Sequence, residues 1–470
     1  MVLFSLRNVC VTSHCHLPKD ALTQTLPASR SISARLLSGG LWVLASRALA
    51  IAAGFAVSVL LTRMLTPHEV GSYFLIYSLV AASSAIAMLG LNFSIVRLIA
   101  ESLSINQPGR AKGAIFMTFA LVAGALILIA AVLIIAPGTW LTTHVFGLAG
   151  PHLIWLSAAW IAVFTLQLIV AEMFRGLHDI RFASIFGGLV ISVLGALFFL
   201  MCLLFGIHLT LASAVTLSVT AGVINFVCAG WLIGRKIKLL TGKPQFHARE
   251  MLAISAPLWI VNLTLLLLTQ ADVWILSTGR GQDTVAIYGA AVRMTQFMTV
   301  PLLVINSTLL PVISEMYARR DSIALERVLR ASAALAVLPA AIALGVFLMF
   351  GTQLIGLAFG NFYRGGLPVL LILSLGQFVN IAGGSCGYTL MMTGHQRDMM
   401  WITVLAGALT VGLGFAMVQT WGAVGVALGS AIGLALQTLV MWLCTRWRIG
   451  IWTHPSLRDL RLLLSSLWRG

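Results

Sequence analysis

Seven charged side chains stand out because of where they lie. Arg47, Arg63, Glu69, Asp272, Arg280, Asp283 and Arg293 fall within or at the edges of long apolar runs. A charge surrounded by hydrocarbon is costly, so such residues tend to face a polar cavity or a partner. Amides and phenols gather in the same stretches: Tyr73, Tyr77, Asn92, Asn262, Gln270, Tyr288, Gln296 and Asn306. Together these groups would line a cavity that holds something polar away from lipid. Arg47 and Arg293 favour a cationic cavity, whereas Asp272 would favour one governed by an acid. Asp272 has a structural alternative too, pairing with Arg63, Arg280 or Arg293. Glu172, next to Arg175, reads as an interfacial residue.

The elements that must position these groups follow from composition. Of 470 residues 60% are hydrophobic and 9% charged, and the mean hydropathy is +1.01. Soluble domains carry about 25% charged residues, so a soluble globular enzyme is excluded. Charge-free stretches run for 59 residues between Lys112 and Glu172, 53 between Arg181 and Arg235, and 47 between Asp398 and Arg446. A spanning helix needs about 20 apolar residues, and each stretch is interrupted near its middle by a turn signal, at Pro137-Gly138 through Pro151, at Gly206 and at Trp421-Gly422. Each therefore reads as a helical hairpin. The same reading over the chain predicts an all-α polytopic membrane protein with twelve spans, near 41–62, 71–92, 114–136, 151–173, 184–206, 210–234, 251–278, 285–310, 331–351, 367–392, 399–420 and 422–445.

The excess of 29 Lys and Arg over 13 Asp and Glu, a formal charge of +16, is then a topology signal rather than a nucleic-acid footprint. On alternating sides of these spans 24 of the basic residues share a face with both termini, 3 (Arg63, Arg280, Arg364) lie on the other, and Arg47 and Arg293 lie within spans. The positive-inside rule places both termini in the cytoplasm. At about 1.5 Å per residue, Arg47 sits roughly 9 Å from the cytoplasmic edge and Arg293 roughly 13 Å from the outer one. Arg47 can either snorkel to headgroups or face the cavity. Arg293 has less escape.

The two halves echo one another. Glu69 to Tyr73 matches Thr284 to Tyr288 at an offset of 215, Asn92 to Glu101 matches Asn306 to Glu315 at 214, Phe146-Gly147 recurs as Phe359-Gly360 at 213, and Gly176 as Gly394 at 218. This predicts two six-helix bundles related by a parallel repeat, a plan typical of secondary transporters with a site between the repeats. The expected organisation is a cytoplasmic tail over 1–35, bundles over 36–234 and 251–445, a basic linker over 235–250 and a basic cytoplasmic tail over 446–470. In that last tail the leucines from Leu457 to Leu467 share one helical face opposite Arg458, Arg461 and Arg469, which reads as an amphipathic helix on the inner leaflet. Gly425, Gly429 and Gly433 read as a close-packing seam, and Pro257, Pro301 and Pro339 as kinks. Cys202, Cys228, Cys386 and Cys444 behave as small hydrophobes. The cluster of Cys10, His14, Cys15 and His16 fits no metal motif, and no metal site is expected.

The stretch Arg63-Met-Leu-Thr-Pro-His-Glu-Val-Gly-Ser-Tyr73 resembles a signature that follows the first helix in bacterial Wzx-type polysaccharide flippases, within the multidrug/oligosaccharidyl-lipid/polysaccharide exporter superfamily. Gly90-Leu-Asn-Phe-Ser-Ile-Val-Arg97 is similar to that family's second-helix ending. Tyr288 to Arg293, with Pro301 and Leu310 to Ser314, resembles the eighth helix of the related peptidoglycan-precursor flippases. The likeness covers about residues 36 to 445. It implies translocation, by alternating access, of an undecaprenyl-diphosphate-linked oligosaccharide across the bacterial inner membrane for O-antigen, capsule or exopolysaccharide synthesis, with Arg47 and Arg293 on the diphosphate. A polysaccharide polymerase and a chain-length regulator are the implied partners besides membrane lipid; nucleic acid is not. No cofactor is implied, and a coupling ion, H+ or Na+, stays open. The alternatives are a drug or small-molecule antiporter of the same superfamily and a peptidoglycan-precursor flippase. A membrane glycosyltransferase or polymerase is disfavoured because no Asp-x-Asp occurs and no outer loop exceeds about 15 residues.

Overall fold

The computed structural model describes residues 29–135, 152–246 and 248–461. The segment around Pro137 to Pro151, the Cys10 to His16 cluster and the end of the C-terminal tail lie outside them. Among the described residues there is helix and connecting chain and no strand. The first half holds α1 (Ser29–Met64), α2 (Pro67–Ala87), α3 (Leu91–Ser104), α4 (Pro108–Ile135), α5 (His152–Gly176), α6 (Ile180–Ser184), α7 (Val190–Leu204) and α8 (Leu211–Leu239). The second half holds α9 (Ala248–Gly279), α10 (Gln282–Ala318), α11 (Ser322–Phe359), α12 (Leu367–Ala382), α13 (Cys386–Met392) and α14 (Gln396–Ile449).

Ten helical segments among the described residues are long and apolar enough to cross a membrane. The last of these, α14, has 54 residues and is broken at Gly422 (φ 57, ψ −132), at the predicted turn. Its positive φ suits glycine, and the carbonyls freed there are capped by Arg280, whose Nε donates to Val418 O at 3.2 Å and Nη2 to Gln419 O at 2.5 Å. Exposed apolar side chains such as Ile127, Leu128, Leu204 and Phe205 cover the outer surface, as lipid contact requires.

Two expected spans are interrupted. The predicted 71–92 helix ends at Ala87 and restarts at Leu91, with Leu89 (φ 48) and Gly90 (φ 74) both left-handed. Gly90 is needed there because a Cβ would strike the backbone of Ser255 and Trp259 in α9. Likewise 367–392 breaks between Ala382 and Cys386, where the Gly383 carbonyl accepts from Thr453 Oγ1 at 2.6 Å. A third irregularity, a π-turn over Ile185–Leu189 joins α6 to α7, and Asn225 Nδ2 donates to the Phe186 carbonyl at 3.0 Å. In the latter two cases a side chain satisfies backbone that hydrocarbon cannot.

Caps explain why α2 and α8 begin where they do. Thr66 and Glu69 form a reciprocal capping box, with Pro67 in the first turn. The other carboxylate oxygen of Glu69 accepts from Leu211 N at 3.3 Å at the start of α8. Glu69, expected near a cavity, thus serves two helix N-termini, where a negative charge is favourable.

Packing divides into two groups and an interface. Within the first half α5 packs on α8, α1 on α7, and α3 on α4 and α5; within the second, α14 packs on α9, α12 and α13, and α11 on α10 and α12. The halves meet where α2 lies against α9 and α10, α3 against α9, and α1 against α10 and α11. At the end carrying Arg63, a Cβ on Gly71 would strike the Gln282 backbone and one on Gly289 the Phe74 ring. Arg63 donates across this interface to Ala358 O at 3.3 Å and to Leu357 O at the end of α11, where a cation complements the helix dipole. His68 Nδ1 lies 3.8 Å from Asp283. At the other end Arg110 pairs with Glu250 at 2.5 Å, and Ser94 Oγ lies 2.7 Å from Ser255 Oγ. The glycine seam also forms: Gly425, Gly429 and Gly433 face Met417, Leu413-Gly414 and Thr410 across the α14 kink.

The C-terminal segment differs from a free amphipathic helix. Its described part, through residue 461, docks on the start of α11: Ser456 N donates to Arg330 O at 3.3 Å, Arg330 Nε lies 3.5 Å from Asp459, and Leu460 packs on Ala331 and Ala334. Burial of Leu460 outweighs lipid contact for that part; the remainder, through Arg469, lies outside the described residues.

Candidate functional site

Two adjoining cavities occupy the interface. One, about 500 Å³, lies among α1, α2, α5, α7, α8 and α10. The other, about 560 Å³, lies among α2, α9, α10, α12 and α14. They share Phe74 and Tyr77 from α2 and Arg293 and Gln296 from α10. The junction between the cavities is therefore built from both halves.

Arg293 is the central cation of this junction. Its guanidinium carbon lies 5.4 Å from the Tyr77 ring centroid and 5.9 Å from that of Phe74, within reach of cation-π attraction. The rings hold the guanidinium without occupying its hydrogen-bond donors. Arg47 lines the far end of the first cavity together with Arg175, and Arg175 is paired with Glu172 at 2.5 Å. Aromatic groups Tyr73, Trp160, Phe164 and Phe199 line the wall between. Tyr73 stacks near Trp160, 5.5 Å between centroids, and its hydroxyl lies 2.8 Å from Ser218 Oγ.

The second cavity contains Gln270, Asp272 and Tyr288 from the expected set. Asp272 does not pair with an arginine as one reading had it. Tyr288 Oη donates to one carboxylate oxygen at 2.6 Å and Ser430 Oγ to the other at 2.6 Å, so the acid is held by hydroxyls. The first half holds a similar pair: Tyr73 and Ser218, 2.8 Å apart, lie 215 and 212 residues before Tyr288 and Ser430, and the residue 215 before Asp272 is Val57.

Three expected amides lie elsewhere. Asn306 is buried and its Oδ1 accepts from Ser385 Oγ at 2.5 Å, bracing the α12–α13 break. Asn92 sits in the first turn of α3, its Oδ1 buried without a hydrogen-bond partner among the described residues. Asn262, in α9, is half-buried and lines neither cavity. Arg63, Arg280 and Asp283 belong to the interface and the α14 kink described above. Conversely, Trp160, Phe164, Arg175, Gln377, Ser430 and Gln437 line the cavities without having been anticipated. Their helices carry few charges, and with apolar residues on every side only tertiary packing shows which face turns inward.

Chemically, the site presents fixed cations, aromatic faces and carboxamides. Among the described residues no group of His, Cys, Asp and Glu could hold a metal ion. The arrangement suits binding and passage of a large polar, anionic headgroup.

The family model described as "Polysaccharide biosynthesis protein" matches residues 36–317. A probable low-salt glycan biosynthesis flippase, Agl15, of Haloferax volcanii is 24% identical over 230 residues, covering 49% of this chain and 48% of the relative. The chain thus matches about half the length of that curated relative. Among solved structures it is similar to an inward-facing multidrug resistance MATE transporter of the MOP superfamily, with a TM-score of 0.70 at 18% identity, covering 86% of this chain and 94% of the other. It is similar also to the lipid II flippase MurJ in an inward closed conformation, with a TM-score of 0.67 at 13% identity and 91% of each chain covered. A MOP-superfamily transporter from Pyrococcus furiosus gives 0.60 at 14% identity, over 87% and 94%. At these identities the likeness shows the fold, which is that of MOP-superfamily transporters.

Proposed function

Because the chain belongs to the polysaccharide biosynthesis protein family, we propose that it is a flippase moving an undecaprenyl-diphosphate-linked oligosaccharide from the cytoplasmic to the outer leaflet of the bacterial inner membrane. The observation that carries this reading is Arg293, a cation held by aromatic rings at the junction of two cavities and contributed to by both halves. Diphosphate and sugars cannot cross hydrocarbon unassisted. A cationic, hydrogen-bonding passage between two helix groups shields them while the prenyl tail stays in lipid.

In this reading twelve spans place both termini in the cytoplasm, on the face that carries most of the basic residues. Arg47, at the cytoplasmic end of the first cavity, meets the diphosphate first. Closure of that side then brings Arg293 to bear through paired, charge-assisted hydrogen bonds, and the guanidinium stays protonated when partly desolvated. Different contacts in the two states are what an alternating-access cycle requires. The ties at Arg63 and Gly71 hold the outer end shut in the conformation seen here. Lipid-linked oligosaccharide is the partner, delivered onward to a polymerase and chain-length regulator.

Deletion of the gene tests the reading. Lipid-linked oligosaccharide of full sugar length should accumulate on the cytoplasmic leaflet. Shortened or missing sugar chains on the lipid would instead point to a glycosyl-transfer enzyme.

A further inference from the structure

The two cavities differ in chemistry, and the difference bears on how a headgroup lies in them. The first is walled by aromatic and aliphatic side chains and contains Arg47 and Arg175. The second is lined by four carboxamides from four helices: Gln270 of α9, Gln296 of α10, Gln377 of α12 and Gln437 of α14. A carboxamide carries two donor hydrogens and an acceptor oxygen with two lone pairs. Little of that capacity is spent within the protein. Gln377 Oε1 accepts one long bond from Asn380 at 3.4 Å, and Gln437 Nε2 donates to Thr403 at 3.2 Å. The side chains of Gln270 and Gln296 form no hydrogen bond among the described residues.

Charge in the second cavity is by contrast already committed. Both oxygens of Asp272 are taken by Tyr288 and Ser430, and Arg293 stands at the junction rather than inside. Beyond Arg293 the wall, among the described residues, therefore offers many uncharged donors and acceptors, no cation and one carboxylate. Such a wall suits a neutral, hydroxyl-rich ligand and disfavours an anionic one. Unpaired carboxamides amid apolar helices are themselves unfavourable, and hydroxyl groups would satisfy them in both directions.

We propose that the second cavity is the sugar subsite: with the diphosphate at Arg293, the uncharged sugars next to it lie in the second half against Gln270, Gln377 and Gln437. This rests on the flippase reading and specifies the orientation of its substrate. About 560 Å³ is within the ordinary range of small-ligand sites, so the subsite reads the first sugars and not a whole oligosaccharide.

Binding to the full chain in lipid nanodiscs tests this with three probes: undecaprenyl diphosphate, the same lipid bearing a neutral disaccharide, and the same lipid bearing a disaccharide that contains a uronic acid. The wild-type protein should bind the neutral disaccharide lipid more tightly than the bare diphosphate lipid, and the uronic acid lipid more weakly than the neutral one. The double variant Gln270→Leu/Gln437→Leu, and separately Gln377→Leu, should lose about tenfold or more and about fivefold in affinity for the neutral disaccharide lipid. Both should keep their affinity for undecaprenyl diphosphate, which also reports that they are folded. Unchanged affinity for the disaccharide lipid, or equal losses for both probes in both variants, would overturn the subsite. Failure of the wild-type protein to bind any of the three would reject the flippase reading itself, and the subsite with it.

Discussion

Replacing Gly71 with alanine separates helix stability from the fit between the two halves. In the interior of a helix alanine is favoured over glycine by about 0.8–1.0 kcal/mol, so propensity alone makes the change stabilising. A Cβ at Gly71, however, would run into the backbone carbonyl of Gln282 in the other half, which cannot rotate away. Overpacking of that kind costs about 1–3 kcal/mol, and because α2 is helical whether this end is open or closed the propensity gain cancels between the two, so the closed interface should be weakened by about 1–3 kcal/mol. Since 1.4 kcal/mol is tenfold in population, the ratio of open to closed molecules at this end should rise by roughly fivefold to a hundredfold. Gly124 of α4 is the control, because nothing lies within 4 Å of a Cβ built there. Gly124→Ala should retain the full propensity gain and leave the interface alone. Amide hydrogen exchange in nanodiscs would read the outcome: faster exchange in the first turns of α2 and α10 for Gly71→Ala, unchanged or slower exchange throughout for Gly124→Ala. Identical exchange in the two variants would refute the argument that backbone contact between halves seals this end.

Two further expectations follow from single contacts and a third from the placement of charge. Tyr288→Phe should lower stability by about 1.5–3 kcal/mol, because it leaves a buried carboxyl group with one partner fewer, whereas Tyr73→Phe, which removes only the contact with Ser218, should cost about 1 kcal/mol; thermal unfolding in one detergent gives the order, and equal shifts would remove the distinction. His454, outside the spans, has its pKa lowered by burial first and by the Arg330 charge second, against opposing effects of Glu326 and Asp459. A base with a depressed folded pKa stabilises its docked form fully above the unfolded value, near 6.5, and loses that contribution as pH falls through the folded one. Exchange protection of residues 450–461 should therefore decline as pH falls below about 6.5, and His454→Gln should abolish the dependence; a pH-independent segment in the wild type would contradict it. Reporter fusions after Gly242 and Gly360 should report opposite sides of the membrane, cytoplasmic and external, and the same side for both would sink the twelve-span topology.

That the chain is built of long apolar helices was legible because hydrocarbon imposes a length and excludes charge, signals that need no tertiary information. The Trp421-Gly422 turn appeared from glycine alone, within a run that forms one 54-residue helical element. The breaks at Gly90 and Gly383-Gly384 did not appear, since glycine is common in these helices and only the approach of Ser255 or of Thr453 makes those two indispensable. The site was legible in part for a related reason. Arg293 and Arg47 are conspicuous inside apolar runs, and both line the interfacial cavity. Glu69 and Arg63 were equally conspicuous, yet they satisfy helix termini, a use of charge that shares its sequence signature with ligand binding. Gln377 and Gln437 sit in helices with apolar residues on every side, so no periodicity marks the face they share, and Asn306 was drawn into the expected set by the same lack of a polar stripe.

The measurement that bears most directly on the account is transbilayer movement of an undecaprenyl-diphosphate-linked oligosaccharide in proteoliposomes containing the purified protein, compared at matched protein content for wild type, Arg293→Ala and Arg293→Lys. The account predicts movement with the wild-type protein and a loss of more than about tenfold for alanine, as removal of charge-assisted bonds to the diphosphate implies. Lysine should recover the activity only in part, because it supplies the charge without the planar fork. Movement at the wild-type rate by Arg293→Ala would contradict the account and leave Arg293 with only its packing role against Tyr77 and Phe74.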